Sequence, residues 1–114
     1  MTRIRLERGP VVCEQGVLAV TPWTRSKGLL GRSGLDPDEG LWIQPTGSIH
    51  MWFMRFPIDV VFLDRDLSVL RVVPQVRPWR AVWGRGAAAV LELAGGECAA
   101  RGVGVGDRLD LVTA

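Results

Sequence analysis

The sequence has no tyrosine and no asparagine, a single lysine, a single histidine and two cysteines. Cys13 and Cys98 lie far apart with no CxxC spacing, which excludes a zinc knuckle and a disulfide scaffold and leaves two free buried thiols as the expectation. His50 has no second histidine for company, so a metal site would have to draw Asp59, Glu92 and Asp107 together from separate strands. No metal and no cofactor are therefore expected. Long apolar runs are missing too: the uncharged stretch from Gly40 to Met54 is broken by Pro45 and Gly47 and falls short of the roughly 20 residues a spanning helix needs. The first eight residues carry charges where the apolar centre of a secretory signal would run, so the chain is expected to have no membrane span and to stay in the cytoplasm. Arginine makes up all but one of the 14 basic residues, a bias that reflects base composition more readily than function. The arginines are scattered singly between acids, and on that ground nucleic acid is not the expected partner.

What is present is a chain of 114 residues, 47% of them apolar, which suits one domain over residues 1–114 with a core of its own. Its chemical oddities concentrate between Ile49 and Asp64, a stretch that reads as two strands joined at Phe56-Pro57 and closed by the turn residues Asp64-Arg65-Asp66. Before it, Val11-Val12-Cys13 and Val17-Leu18-Ala19 read as a hairpin turning at Glu14-Gln15-Gly16. A short helix follows, with Thr21 as N-cap, Pro22 at the first position, Trp23 to Leu30 as its body and Gly31 as its stop. Leu41-Trp42-Ile43 begins a strand that ends at Pro45-Thr46-Gly47. Ser68 to Val73 is the return strand of a hairpin and Pro74 ends it, while Gln75 to Gly86 reads as a long surface loop. Ala87 to Leu93 and Asp107 to Val112 supply further strands around, at most, one helical turn at Glu97 to Arg101. The fold expected is mainly β, a compact antiparallel, barrel-like sheet with one short helix after the first strands.

Charges set in apolar strands mark the places where chemistry or ion pairing must occur. Asp59 shares an apolar strand with Ile58, Val60 and Phe62, and a buried carboxylate needs a partner; His50, Arg55, Arg25 and Arg32 are the candidates. Either Asp59 ties down the strand, or it faces a ligand in a cleft. His50 and Asp59 also form the only plausible acid and base for a hydrolase or isomerase, whereas no nucleophile-elbow pattern surrounds any serine or cysteine. The basic run from Arg25 to Arg32 lacks the spacing of a phosphate-binding loop, and its two arginines either clamp an anion or pin the helix to Asp59 and Glu92. Glu92 itself reads as an outward side chain on a half-exposed strand. Trp79 and Trp83, set among Arg77, Arg80 and Arg85, form either an exposed aromatic lip or a lid.

Five blocks in order, Thr21 to Arg32, Gly40-Leu41-Trp42-Ile43, Met54 to Asp64, Val90 to Gly95 and Gly106-Asp107, closely resemble the bacterial and archaeal family catalogued as domain of unknown function 192. The resemblance implies a compact β-rich domain with a short helix after the first strands, and no activity. Relatives often have cysteine at the position of Thr46 and threonine at that of Met51, so a Cys-His site there is absent from this chain, and many carry an export signal. Three readings of function result. The first is a small ligand-binding or accessory module whose cleft is lined by Arg25, Arg32, His50, Trp52, Arg55 and Asp59 and takes a small anion or a peptide end. The second is the enzyme using His50 and Asp59. The third is a protein-interaction domain docking a partner through Trp79 and Trp83.

Overall fold

The structure, a computed structural model, describes residues 2–7, 9–21, 28–29, 31–52 and 54–113. Seven strands make one sheet: β1 (Thr2–Leu6), β2 (Val11–Ala19), β3 (Glu39–Ile43), β5 (Ile58–Leu63), β6 (Val69–Val76), β8 (Ala89–Ala94) and β9 (Leu109–Thr113). They lie in the order β6-β5-β8-β3-β2-β1-β9. β4 (Ser48–His50) and β7 (Ala81–Trp83) form a separate two-stranded ribbon, and a helix α1 (Glu97–Arg101) lies between β8 and β9. The sheet curls into a half-barrel until its edges touch at an isolated bridge, Ser68 to Arg108, flanked by the Val69 N–H to Asp107 carbonyl bond at 2.7 Å. Strands from both ends of the sheet contribute to one core, where Ile4, Val12, Trp42, Val61, Val69, Leu91 and Leu109 meet Cys98 of α1. The opposite face of the central strands carries a second core, in which Leu41, Ile43, Val60, Phe62 and Val90 are covered by Leu29, Ile49, Met51 and Met54.

The mainly β expectation holds, with one change: the sheet is mixed. β2 and β3 run parallel in the register Gln15 to Glu39 through Ala19 to Ile43, because residues 20–38 are long enough for the crossover a parallel pair requires. The body of the helix expected over Trp23 to Leu30 lies outside the described residues, apart from Gly28 and Leu29. Gly31 has a φ of 85°, a left-handed conformation that favours glycine. The helix that is described, α1, comes instead after β8.

Local differences have local causes. β2 continues through Glu14-Gln15-Gly16, where its register against β1 shifts, and the chain reverses between β1 and β2 instead, with the Leu6 N–H bonded to the Pro10 carbonyl. Gly16 serves close packing: a side chain there would sit 2.7 Å from the Thr2 carbonyl of β1. β6 continues past Pro74 to Val76, since an edge strand tolerates a missing N–H. The register advances from Val60–Val73 to Ile58–Val76, so one extra residue bulges out at Pro74-Gln75, with Gln75 at φ 51°. The supposed loop from Gln75 to Gly86 contains β7. The first strand of the central stretch ends at His50; the chain then turns, with the Met54 N–H bonded to the Met51 carbonyl, so that both methionines reach the second core.

Candidate functional site

The alternation of β5 decides what Asp59 can do. Ile58, Val60 and Phe62 face the second core, whereas Val61 and Leu63 face the first, so Asp59 points toward α1. It is fully buried, and its two oxygens accept three backbone N–H bonds: Gln75 in the bulge to Oδ1 at 2.9 Å, Gly96 to Oδ1 at 3.0 Å and Cys98 to Oδ2 at 2.9 Å. The carboxylate thus caps a helix from a distant strand, since α1 has no side-chain cap of its own. His50 lies on the ribbon over the other core. The sheet stands between the two, and no acid–base pair forms from them.

The other anticipated residues also separate. The Nη2 of Arg32 donates to both Glu39 oxygens, at 2.9 and 3.0 Å, at the start of β3. That pair and the Asp36 N–H hold the Glu39 carboxyl below the usual range, the backbone bond contributing most. Arg25 lies outside the described residues. Arg55 is exposed on the link from β4 to β5. Among the described residues of the six expected together, the contact is between His50 and Trp52, whose rings stack 4.7 Å apart at an angle of 26°. Among the described residues no three of His, Cys, Asp and Glu come together as a cation site. Burial pushes the free thiols of Cys13 and Cys98 up to about 11 and about 12, the Asp59 carboxylate adding to the second, so both stay protonated near neutral pH.

The ribbon gathers what the sequence leaves scattered. Ser48 pairs with Trp83, Ile49 with Val82 and His50 with Ala81. The ladder extends by one step through the Met51 N–H to Arg80 carbonyl bond at 2.6 Å and the Trp79 N–H to Met51 carbonyl bond at 2.7 Å. Ile49, Met51 and Val82 turn inward to the second core, which leaves Ser48, His50, Ala81 and Trp83 on the outer face, continued by Trp52 and Trp79 at the open end. Trp52, Trp79 and Trp83 are 49%, 60% and 65% exposed, unusual for such large apolar rings. Gly84 seats the ribbon on β5, because a Cβ there would stand 2.5 Å from the Phe62 ring. A Gly84→Ala protein is expected to lose about 1–3 kcal/mol through overpacking. Hydrogen exchange should show the loss in the amides of β4 and β7 before those of β1, β2 and β9.

Charge in the two segments that carry this face has one sign. No aspartate or glutamate occurs from Gly40 to Ile58 or from Leu67 to Leu91, and those two segments hold Arg55, Arg71, Arg77, Arg80 and Arg85. Each of the five follows or flanks a ribbon tryptophan closely in the chain or, as with Arg71, donates to the Trp83 carbonyl, here at 2.6 Å. Beside the Trp79 turn an open pocket of about 310 Å³ is lined by Val73 to Arg77 and Arg80 to Val82, and its only charges are Arg77 and Arg80. Part of the loop expected around Trp79 and Trp83 is the strand β7. The alternation Trp79, Ala81, Trp83 against Arg80 and Val82 is the signal that marks a short strand there.

Two further charged groups escape a sequence reading. Arg101 of α1 donates to Asp38 Oδ1 at 2.6 Å and to Glu97 Oε1 at 3.2 Å, fastening the helix to the end of the crossover. Glu92 is not outward: it lies on the second-core face of β8, between Leu41 of β3 and Val60 of β5, with 6% of its surface exposed. Burial alone raises its carboxyl to about 8.

Comparison with known proteins follows the same lines. The family model described as Uncharacterized ACR, domain of unknown function 192, matches residues 8–111. A crystal structure of a protein of unknown function from Novosphingobium aromaticivorans DSM 12444 superposes with a TM-score of 0.82 at 26% identity, covering 96% of this chain and 82% of that one. A crystal structure from Sinorhizobium meliloti 1021, described as a "putative transcription regulator", gives a TM-score of 0.80 at 30% identity, covering 96% and 92%. No curated protein matches. No helix among the described residues is long and apolar enough to cross a membrane.

Proposed function

The chain belongs to the family of domain of unknown function 192, and from that premise, which carries no activity, we propose that the domain is a binding module that docks a negatively charged partner on the outer face of its two-stranded ribbon. One observation carries the reading: three exposed tryptophans and a stacked histidine share a face whose surrounding segments contain arginines and no acid. Large exposed indoles are unusual on a free domain, and arginine and tryptophan are the side chains most enriched where binding energy concentrates. The structural relative described as a "putative transcription regulator" agrees with a role in binding rather than turnover. The inward acid–base pair needed for the enzyme reading is divided by the sheet, and this favours the docking reading over it.

A polyanion column tests it. At about 0.1 M salt, where charges interact over about 10 Å, the protein is expected to be retained on heparin–agarose, and a Trp83→Ala, Arg80→Ala double variant to elute at clearly lower salt with an unchanged melting temperature. Passage of the wild-type protein through the column unretained at that salt would remove the proposal.

A further inference from the structure

Resting on the docking reading of the ribbon, we infer that the anionic partner is a single-stranded nucleic acid whose bases stack on Trp52, Trp79 and Trp83 while its phosphates meet Arg77, Arg80 and Arg85. Two features of the face select this occupant over an acidic peptide. The first is its relief. The outward positions of β4 and β7 alternate rings with small residues, Ser48 opposite Trp83 and Ala81 opposite His50, and none of them is leucine, isoleucine or valine. Such a surface offers flat aromatic platforms separated by open floor, the arrangement on which successive bases stack, and it lacks the aliphatic pockets into which peptide anchors insert. The His50 and Trp52 rings are already stacked, so that platform is held in place before a ligand arrives. The second is the neighbouring edge. An extended peptide would bind by adding to an unpaired strand, and on β6, the edge of the large sheet, Pro74 and the Gln75 bulge both blunt strand addition. The pocket beside that bulge, with Arg77 and Arg80 as its only charges, instead suits a phosphate lying along the rim. Stacking on indoles and phosphate contacts read no particular base, so the binding is expected to tolerate sequence.

The test is fluorescence anisotropy of the full chain with a labelled oligo-uridine or oligo-thymidine probe, titrated at several salt concentrations. Binding is expected, with the logarithm of the association constant falling on the logarithm of salt with a slope near −2, as about three neutralised phosphates on a single strand require. Trp83→Ala and Trp79→Ala are each expected to weaken binding about tenfold, with the melting temperature held for Trp83→Ala. The Arg77→Ala, Arg80→Ala double variant should make the slope shallower by about 1.4. A duplex of equal length, whose bases are closed to stacking, should bind more weakly. Binding of a poly-glutamate peptide in place of the oligonucleotide would overturn this inference and leave the docking surface standing; silence with both polyanions would overturn both. Oligonucleotide binding that the tryptophan variants leave unchanged would also overturn it.

Discussion

Asp59→Ala is expected to cost on the order of 4 kcal/mol and to lower the melting temperature by roughly 20 °C. The reason lies in what the carboxylate holds. Three backbone amides from three places in the chain, the β6 bulge at Gln75, the turn at Gly96 and the first turn of α1 at Cys98, end on its two oxygens in a fully buried site. Hydrogen bonds to a charged acceptor contribute about 1.5–3 kcal/mol each, and every amide left without one is penalised again. Asp59→Asn keeps the single oxygen that serves Gln75 and Gly96 but turns an NH₂ toward the Cys98 N–H, so about half of the loss should remain. A shift in melting temperature below the roughly 4–8 °C that one kcal/mol produces would sink this account.

That role was half visible in the sequence. An aspartate in an apolar strand announces that it must be satisfied, and the bounded run from Ile58 to Leu63 announces the strand. The partners were out of reach, because they are main-chain amides 16 to 39 residues away, and no side chain advertises them. The half-barrel was legible from short strands and turn residues, but its direction changes were not. Pro74 signals an end in a central strand and is harmless on an edge, and nothing local says that β6 is an edge. Gly16 signals a turn, yet here it lets Thr2 and Ile4 of β1 lie against β2. For the ribbon the obstacle was length: three residues in β4 and three in β7 are too few for a periodic pattern, and each becomes a strand only by pairing with the other. The same omission hid the burial of Glu92. Without the ribbon and its methionines, that face of β8 loses much of its cover, and a glutamate on it reads as solvated.

Glu92 should therefore dominate the pH dependence of stability. Its carboxyl, ordinarily near 4.5, is raised to about 8 by burial between Leu41 and Val60. The folded protein thus binds this proton more tightly than the unfolded chain does. The proton's contribution to stability is complete below about pH 4.5 and is lost as pH rises through about 8. Across that window each pH unit is worth up to about 1.4 kcal/mol, so several kcal/mol should disappear between pH 5 and pH 8. Glutamine has the same shape and no charge to bury. Glu92→Gln is expected to match the wild type within about 1 kcal/mol at pH 5 and to exceed it by about 3 kcal/mol at pH 8, with a nearly flat profile once other groups are subtracted. Chemical denaturation at half-unit pH steps measures both curves. If the wild-type curve is flat over this range and Glu92→Gln lowers stability at pH 8, the carboxylate is charged and paired in the folded protein, and Arg25 is the cation that the sequence reading puts forward for it.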